Sequence, residues 1–540
     1  MRQAIGAHAS LCAVLVCVGV VWALTATGVA AQNAPQESDR VQAPDALIEA
    51  AAEGDVDALQ EVLQTDPMID ALSADSTTAL IAASGAGHVE VVTQLLDAGA
   101  MPDRQGNHIS EPSKATEEDA DAADGNVETE ADTLNGATAL MGASFEGHAD
   151  VVGQLLEAEA SVDKAHDNGV AALMGASLEG HADVVEQLLE AGASVDTARD
   201  DGYTALMAAS QEGHADVIEQ LLEAGAPVDA ATGDGFTALI AASTNGHADV
   251  VGQLLEAGAP VDATTGDGGF TALGGASSRG HADVVEQLLE AGASVNRGRD
   301  NGLTALNLGA VYGRKDIVEQ LLDAGASTDV GLDSELATFF AERLNMALGG
   351  GETALMLASL RGHADAVKSL LRAGASVDTA RDDGWTALAL ASQESHASVV
   401  ELLLRAGASV DVATDDDDTP LMVASFGNHA GVVEQLLEAG APVDVARDNG
   451  LTALLAASQE GHVDAVGLLL DAGASVDATR DDGVTALMLA SLGGHADVVE
   501  QLLKAGAKVS VQNDFDTTAL EIAEHSGHDA VVRLLEAAQE

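Results

Sequence analysis

The sequence is short of cysteine and of aromatic residues. Two cysteines, Cys12 and Cys17, lie inside an apolar run near the N-terminus, and aromatic residues make up 2% of the 540 residues. If that run is removed, the chain keeps no thiol for a disulfide or for nucleophilic catalysis. Hydrophobic residues still make up 47% of the chain, so we expect a core of Ala, Leu and Val in small, closely packed helices.

Basic residues are also scarce, since 22 Lys and Arg stand against 88 Asp and Glu, which gives a formal net charge of −66. This excess of negative charge repels phosphate, so we expect neither a nucleic acid partner nor attraction to an anionic membrane. A basic protein partner fits the charge. The alternative is that the charge only keeps the chain soluble and monomeric.

The N-terminal segment has the order of a secretory signal. A run from Leu11 to Leu24 follows a short start that contains Arg2, and residues 29–31 read Val-Ala-Ala, the small-x-small pattern of a signal-peptidase site. We expect residues 1–31 to be a signal peptide, residues 32–43 a linker, and the mature chain to be exported, periplasmic or secreted, without a membrane span. The alternative is a membrane-anchored form, although the run has 14 residues and a span needs about 20.

A histidine, usually preceded by glycine, recurs along the chain at intervals that are mostly 33 residues. Its positions are His88, His148, His181, His214, His247, His281, His363, His396, His429, His462, His495 and His528. Asp55 and Arg314 occupy the same slot in two further units, which makes 14 units in all. Such a period predicts a repeat array rather than a compact domain.

One unit, residues 201–226, shows the local pattern. Its second half places apolar residues on one helical face, namely Val217, Ile218, Leu221 and Leu222. Thr204 is placed to cap a first helix and Asp216 lies in the first turn of a second. Gly225 follows Leu-Leu-Glu-Ala, where a left-handed residue ends a helix. Each unit is therefore predicted to be two short helices.

The order of turn, Thr-Pro-Leu-His, helix, Gly-His, helix, Leu-Leu and Gly-Ala resembles the ankyrin repeat, over residues 44–540 apart from two insertions. The resemblance implies an all-α solenoid of helix-turn-helix units with short hairpin-like turns, and end caps near residues 46–63 and 519–535. It also implies a non-catalytic scaffold that binds a protein through its concave face and turns. Thr-Ala-Leu-Met mostly replaces Thr-Pro-Leu-His, Ala171 replaces a capping Thr, and Glu159 replaces a terminal Gly, so we expect residues 136–168 to be among the softer repeats.

Two insertions separate the repeats predicted at 44–102, 136–329 and 351–540. Residues 103–135 are acidic and rich in Ala, so we expect disorder there. Residues 330–350 are expected to contain a short amphipathic helix that packs on the solenoid or binds a partner; its apolar residues are Phe339, Phe340, Leu344 and Met346. We expect either insertion to divide the array.

Metal binding and catalysis have weak support in the sequence. Equivalent histidines of stacked repeats lie about 8–10 Å apart, whereas zinc holds nitrogen ligands at about 2.1 Å, so we interpret them as turn residues that open the second helices. Asp411 and Asp415 to Asp418 lack the spacing of a calcium loop; they are interpreted as solvated turn carboxylates, with a weak cation site as the alternative. No catalytic motif occurs, so we expect no enzyme and no cofactor.

The residue before each motif Thr varies between units and gives the site prediction. In the family this position lies on the turns that edge the concave surface. Apolar residues occupy it in four consecutive units and in one separate unit: Tyr203, Phe236, Phe270, Leu303 and Trp385. We predict that they bind a protein with an apolar centre and a basic rim, because aromatic anchors favour interfaces and Asp residues flank them. The alternatives are that each packs on its neighbouring turn, and that the chain is an acidic structural or salt-adapted envelope protein without a specific partner.

Overall fold

The computed structural model describes residues 39–65, 67–73, 76–106, 136–266, 269–298, 302–334 and 348–539, with the backbone alone for residues 39–44. The predicted signal peptide, most of the acidic insertion and the predicted amphipathic helix of the second insertion lie outside these residues. Helix α1 begins at Asp39, inside the segment predicted to be a linker.

Within the described residues, 28 helices form 14 pairs, which confirms the predicted all-α array of helix-turn-helix units. The first helices are α1 (Asp39–Glu53), α3 (Ala79–Gly85), α5 (Ala139–Phe145), α7 (Ala172–Glu179), α9 (Ala205–Glu212), α11 (Ala238–Asn245), α13 (Ala272–Arg279), α15 (Ala305–Val311), α17 (Ala354–Leu360), α19 (Ala387–Gln393), α21 (Pro420–Phe426), α23 (Ala453–Glu460), α25 (Ala486–Gly493) and α27 (Ala519–Ser526).

The second helices are α2 (Val56–Leu63), α4 (Val89–Asp97), α6 (Ala149–Glu157), α8 (Ala182–Glu190), α10 (Ala215–Glu223), α12 (Ala248–Glu256), α14 (Ala282–Glu290), α16 (Lys315–Asp323), α18 (Ala364–Arg372), α20 (Ala397–Arg405), α22 (Ala430–Glu438), α24 (Val463–Asp471), α26 (Ala496–Lys504) and α28 (Asp529–Gln539). Two short strands, β1 (Thr264–Thr265) and β2 (Phe270–Thr271), lie in turns. Most helices have seven to nine residues and are too short to be stable alone, so stacking must stabilise them.

The unit from Thr204 onward shows how the local signals work. Thr204 accepts a hydrogen bond at its side-chain oxygen from the backbone N–H of Met207, 3.3 Å away, and Gly225 is left-handed with φ 88°. Ile218 and Leu221 are fully buried, as is Met207 on the first helix. The predicted caps and helical faces are therefore confirmed in this unit.

The two predicted departures are also present. Ala171 stands at the start of α7 without a side-chain cap. Glu159 has φ 62° in the place where other repeats have a left-handed glycine. A residue with a Cβ atom is strained in that region of backbone space, because its Cβ crowds the following carbonyl oxygen.

The chain divides into two compact parts, each made of many two-helix repeats; they are called the first unit, residues 1–266, and the second unit, residues 267–540. In each unit, first helices pack against first helices of adjacent repeats and second helices against second helices. The boundary falls at neither insertion, and stacking continues past both: His148 Nε2 lies 3.0 Å from the Gly85 carbonyl oxygen, and His363 Nε2 lies 3.1 Å from that of Val311. The expectation that either insertion divides the array is therefore wrong, because both enter at turns and leave the helices in register.

Candidate functional site

Several adjacent turns of successive repeats are joined to each other by main-chain hydrogen bonds within each of the two compact units. In the first unit, the Arg199 N–H donates to the Tyr203 carbonyl at 2.9 Å, which closes one turn. The next turn is tied to it, because the Gly233 N–H donates to the Asp201 carbonyl at 2.8 Å. In the second unit, the Asp415 N–H donates to the Asp383 carbonyl at 3.0 Å. These main-chain bonds hold the turns that they join in a fixed position relative to one another.

Two of the five predicted binding residues lie in the first unit. Tyr203 is 5% exposed, its hydroxyl donates to Gln211 Oε1 at 3.0 Å, and the Arg199 guanidinium lies 5.7 Å from its ring centroid. Phe236 is half-buried, and its backbone N–H donates to the Thr232 side-chain oxygen at 2.9 Å. Tyr203 therefore fits the packing alternative, whereas Phe236 keeps part of its surface open.

The other three residues lie in the second unit. Leu303 is 8% exposed and belongs to a buried cluster, against which the half-buried ring of Phe270 packs. The other members of that cluster are Leu308, Val311, Leu332 and Leu357. Trp385 is half-buried, with the Arg381 guanidinium 5.4 Å from its ring centroid. Packing thus accounts for Leu303, and the partner-binding role of these five residues stays a prediction.

A buried carboxylate occupies the same turn position after the second insertion. Glu352 is fully buried, and its carboxylate accepts hydrogen bonds from the backbone N–H groups of Gly349 at 2.6 Å and Gly350 at 3.1 Å. Arg381 Nη1 lies 3.4 Å from the Glu352 carboxylate, and Arg381 Nη2 donates to Asp383 Oδ2 at 2.8 Å. Burial would raise the pKa of Asp383, but the hydrogen bond and charge of Arg381 hold it below its ordinary value. This network fixes the chain where the insertion rejoins the array.

Many carboxylates join one repeat to the next, a role that the sequence pattern did not indicate. Asp163 Oδ1 accepts from the backbone N–H of Ser194 at 2.9 Å. Asp444 accepts from both the N–H and the hydroxyl of Ser475, at 2.9 and 2.6 Å. Asp103, Asp329, Asp378 and Asp477 make the same kind of link. The sequence signal that could have indicated these links is the recurring Gly-Ala-Ser-Val-Asp segment.

The acidic cluster at Asp415 to Asp418 is also engaged in such links. Asp418 pairs with Arg447, whose Nε lies 2.7 Å from Asp418 Oδ1. Asp417 accepts from the Asp448 N–H at 3.1 Å. Across the described part of the chain, no group of three or more His, Cys, Asp or Glu residues is arranged to hold a metal ion.

The repeated histidines connect adjacent repeats through hydrogen bonds to backbone carbonyl groups. His214 precedes α10, as predicted, and its Nε2 lies 2.9 Å from the carbonyl oxygen of Leu178 in the preceding repeat. Its ring lies over Gly180, where an added Cβ would be 2.4 Å from His214 Nδ1. In most Gly-His pairs the glycine therefore makes room for the histidine of the next repeat, whereas Gly280 makes room for Arg314. Burial lowers the pKa of His363, which has the same position, because it disfavours the charged imidazolium.

Three exposed apolar side chains lie in the last repeats, away from the predicted turn position. Phe426 is 54% exposed, Leu492 57% and Phe515 78%. Phe426 and Leu492 end or nearly end their first helices, and Phe515 lies in the last turn. The turn pattern did not point to the first two because they lie seven residues after the capping threonine.

Ankyrin-repeat family models match most of the chain. The model described as ankyrin repeats (3 copies) matches residues 116–199, 173–265, 260–333, 333–414 and 407–480. A model for many copies matches residues 469–523, and a single-repeat model matches residues 75–107. No curated protein matches the chain. Among the described residues, none of the helices has the length and apolar character needed to cross a membrane.

Proposed function

This chain belongs to the ankyrin-repeat family, and on that premise we propose that it is an exported, monomeric scaffold that binds another protein through its concave face and turns. Ankyrin repeats mediate protein–protein interaction and are generally non-catalytic. The observation that carries the proposal is the row of turns, in which several adjacent turns are joined by main-chain hydrogen bonds, as Gly233 is to Asp201 and Asp415 to Asp383. Such a row is preorganised, so little ordering entropy is lost on binding.

The charge of the chain supports a basic partner. Some of the acidic side chains form contacts within the array, since Asp163 and Asp444 each accept a hydrogen bond from the next repeat. Other turn carboxylates are exposed, such as Asp200, and Asp201, which also pairs with Arg199. They favour a protein with a basic rim around an apolar centre.

Export rests on the signal-like N-terminal segment. We expect the mature chain from an exported fraction to begin at Gln32, which N-terminal sequencing and intact mass will check. A chain that retains Leu11 to Leu24 and fractionates with membranes supports the anchored alternative instead.

The partner site is tested by affinity capture from the exported fraction with the full chain. The variant replaces the half-buried residues Phe236, Phe270 and Trp385 with Ala, and leaves the buried Tyr203 and Leu303 intact so that the fold survives. The matched control replaces Met68 and Met101, which are exposed apolar residues outside the predicted turn position, with Ala. Circular dichroism verifies folding of both variants.

We expect one stoichiometric partner to bind the wild type and the control but not the turn variant. Equal capture by all three proteins removes the turn residues from the site. Capture of no partner, together with folding that requires molar salt, favours the acidic structural or salt-adapted protein.

A further inference from the structure

A column of first-helix ends in the last repeats exposes apolar side chains. Phe426 and Leu492 each stand seven residues after their capping residues, Thr419 and Thr485. Both side chains are more than half exposed. Gln459, also exposed, holds the same position in the repeat between them.

Contacts with the following repeats show that these three residues share one register. Their carbonyl oxygens each accept from the histidine Nε2 of the next repeat. The pairs are His462 with Phe426 at 2.8 Å, His495 with Gln459 at 3.0 Å, and His528 with Leu492 at 3.0 Å. Phe426 and Leu492 are thus two helix spacings apart, about 16–20 Å. We call Phe426, Gln459 and Leu492 the C-terminal column.

The surroundings of the C-terminal column are acidic. Helices α21, α23, α25 and α27 contain Glu460, Glu521 and Glu524 and no Lys or Arg. In the turns that precede α23 and α25, two arginines are paired, Arg447 with Asp418 and Arg480 with Asp482. The column therefore presents two apolar anchors in a negative field, which disfavours a second copy of this chain with a net charge of −66.

We propose that the C-terminal column binds an amphipathic basic helix of a partner protein. The proposal rests on the scaffold function above and names the chemistry of the bound segment. A helix that crosses the stacked first helices rises about 1.5 Å per residue, so residues about 11 positions apart lie three turns apart, on one face, and reach both anchors. Lys or Arg between the two anchors lies nearest Glu460, and Lys or Arg beyond the Leu492 anchor lies nearest Glu521 and Glu524 on α27.

The test uses a synthetic helical peptide of about 18 residues with two leucines about 11 positions apart and lysines elsewhere on that face. One comparison peptide has Ser in place of both leucines, and another has Glu in place of the lysines. Fluorescence anisotropy at physiological salt measures their binding to the full chain. The protein variants are Phe426→Ser with Leu492→Ser, and the control Met68→Ser with Met101→Ser, which removes exposed apolar side chains far along the sequence.

We expect the leucine–lysine peptide to bind the wild type and the control equally, and the double variant of the C-terminal column on the order of tenfold more weakly. Each comparison peptide should bind the wild type at least as weakly. Equal binding to the double variant means that charge alone attracts the peptide, and overturns the inference, as does no binding to the wild type. Dimers that the double variant abolishes would identify a second copy as the occupant and overturn it too. None of these results depends on Phe236, Phe270 or Trp385, so the scaffold proposal is judged separately by its own capture experiment.

Discussion

Residues 139–190 and residues 420–504 have the same repeat pattern but use it differently. Helix α7 starts at Ala171 without a side-chain cap, whereas α21, α23 and α25 are each capped by a threonine. Conversely, Leu178 is 4% exposed, whereas Phe426 and Leu492, at the same place in their repeats, are more than half exposed. In the first region α7 lacks a side-chain cap, although Thr138 caps α5, and Leu178 is buried; in the second region every first helix is capped and two apolar side chains are exposed.

The largest expected effect tests a contact that both regions share. Gly180→Ala and Gly461→Ala each place a Cβ 2.4 Å from the next histidine ring at a positive φ, so we expect each to lower the free energy of unfolding by about 2–4 kcal/mol. Urea unfolding followed by circular dichroism measures the loss, and hydrogen exchange locates it.

Gly192→Ala and Gly473→Ala are the matched controls, since their φ is also positive but nothing lies within 4 Å of the added Cβ. They should cost only about 1 kcal/mol. If both pairs of substitutions cost the same, the histidine contact contributes nothing and only backbone strain remains.

Restoring the missing cap should reduce the difference in local stability between the two regions. We expect Ala171→Thr to stabilise the array by about 1 kcal/mol, because the threonine oxygen can accept a hydrogen bond from an unpaired backbone N–H in the first turn of α7. The reverse change in the second region, Thr452→Ala, should cost a similar amount. Slower hydrogen exchange in α7 of the first variant and faster exchange in α23 of the second would show this; unchanged rates in α7 would mean that packing, and not capping, limits its stability.

A smaller gain is expected where the backbone is strained. Glu159 adopts φ 62°, and Glu159→Gly relieves that strain at some cost in unfolded-state entropy. The net gain should be about 0.5–1 kcal/mol in the free energy of unfolding. Ser395→Gly, at φ 63° in the second unit, provides the comparison; a loss of stability at Glu159→Gly would show that the Glu side chain itself stabilises the turn.

The smallest effect is a dependence on pH. The folded-state pKa of His363 is below the ordinary value, so its contribution to stability is fully present above about pH 6.5 and is lost as the pH falls. His363→Arg carries the same charge at both pH values and imitates Arg314. The wild type should therefore lose more stability than the variant between pH 7.5 and 5.5 in parallel urea titrations; equal losses would assign the pH dependence to other groups.

The sequence predicted the fold closely because its signals are local and repeated. Thr204, Asp216 and Gly225 mark helix ends within one unit, and the 33-residue period counts the units. Contacts between adjacent repeats were harder to predict from the sequence. Nothing in the turn around Tyr203 or Leu303 shows how deeply the neighbouring turn and helices bury it, and the bond from Asp163 to Ser194 spans 31 residues. The exposure of Phe426 likewise depends on atoms of adjacent repeats.

The contacts between repeats also constrain how such a gene can change. Three kinds of hydrogen bond connect positions about one period apart. They join a histidine to a carbonyl, an aspartate to a serine, and a turn to the next turn; examples are His214 with Leu178 and Asp163 with Ser194. Duplication or loss of a whole 33-residue unit within either half leaves every donor facing an equivalent acceptor. An insertion inside a helix would misalign all three sets of bonds at once, whereas the two insertions present enter at turns. Array length is therefore free to vary in whole repeats, which offers a route to partners of different size without a new fold.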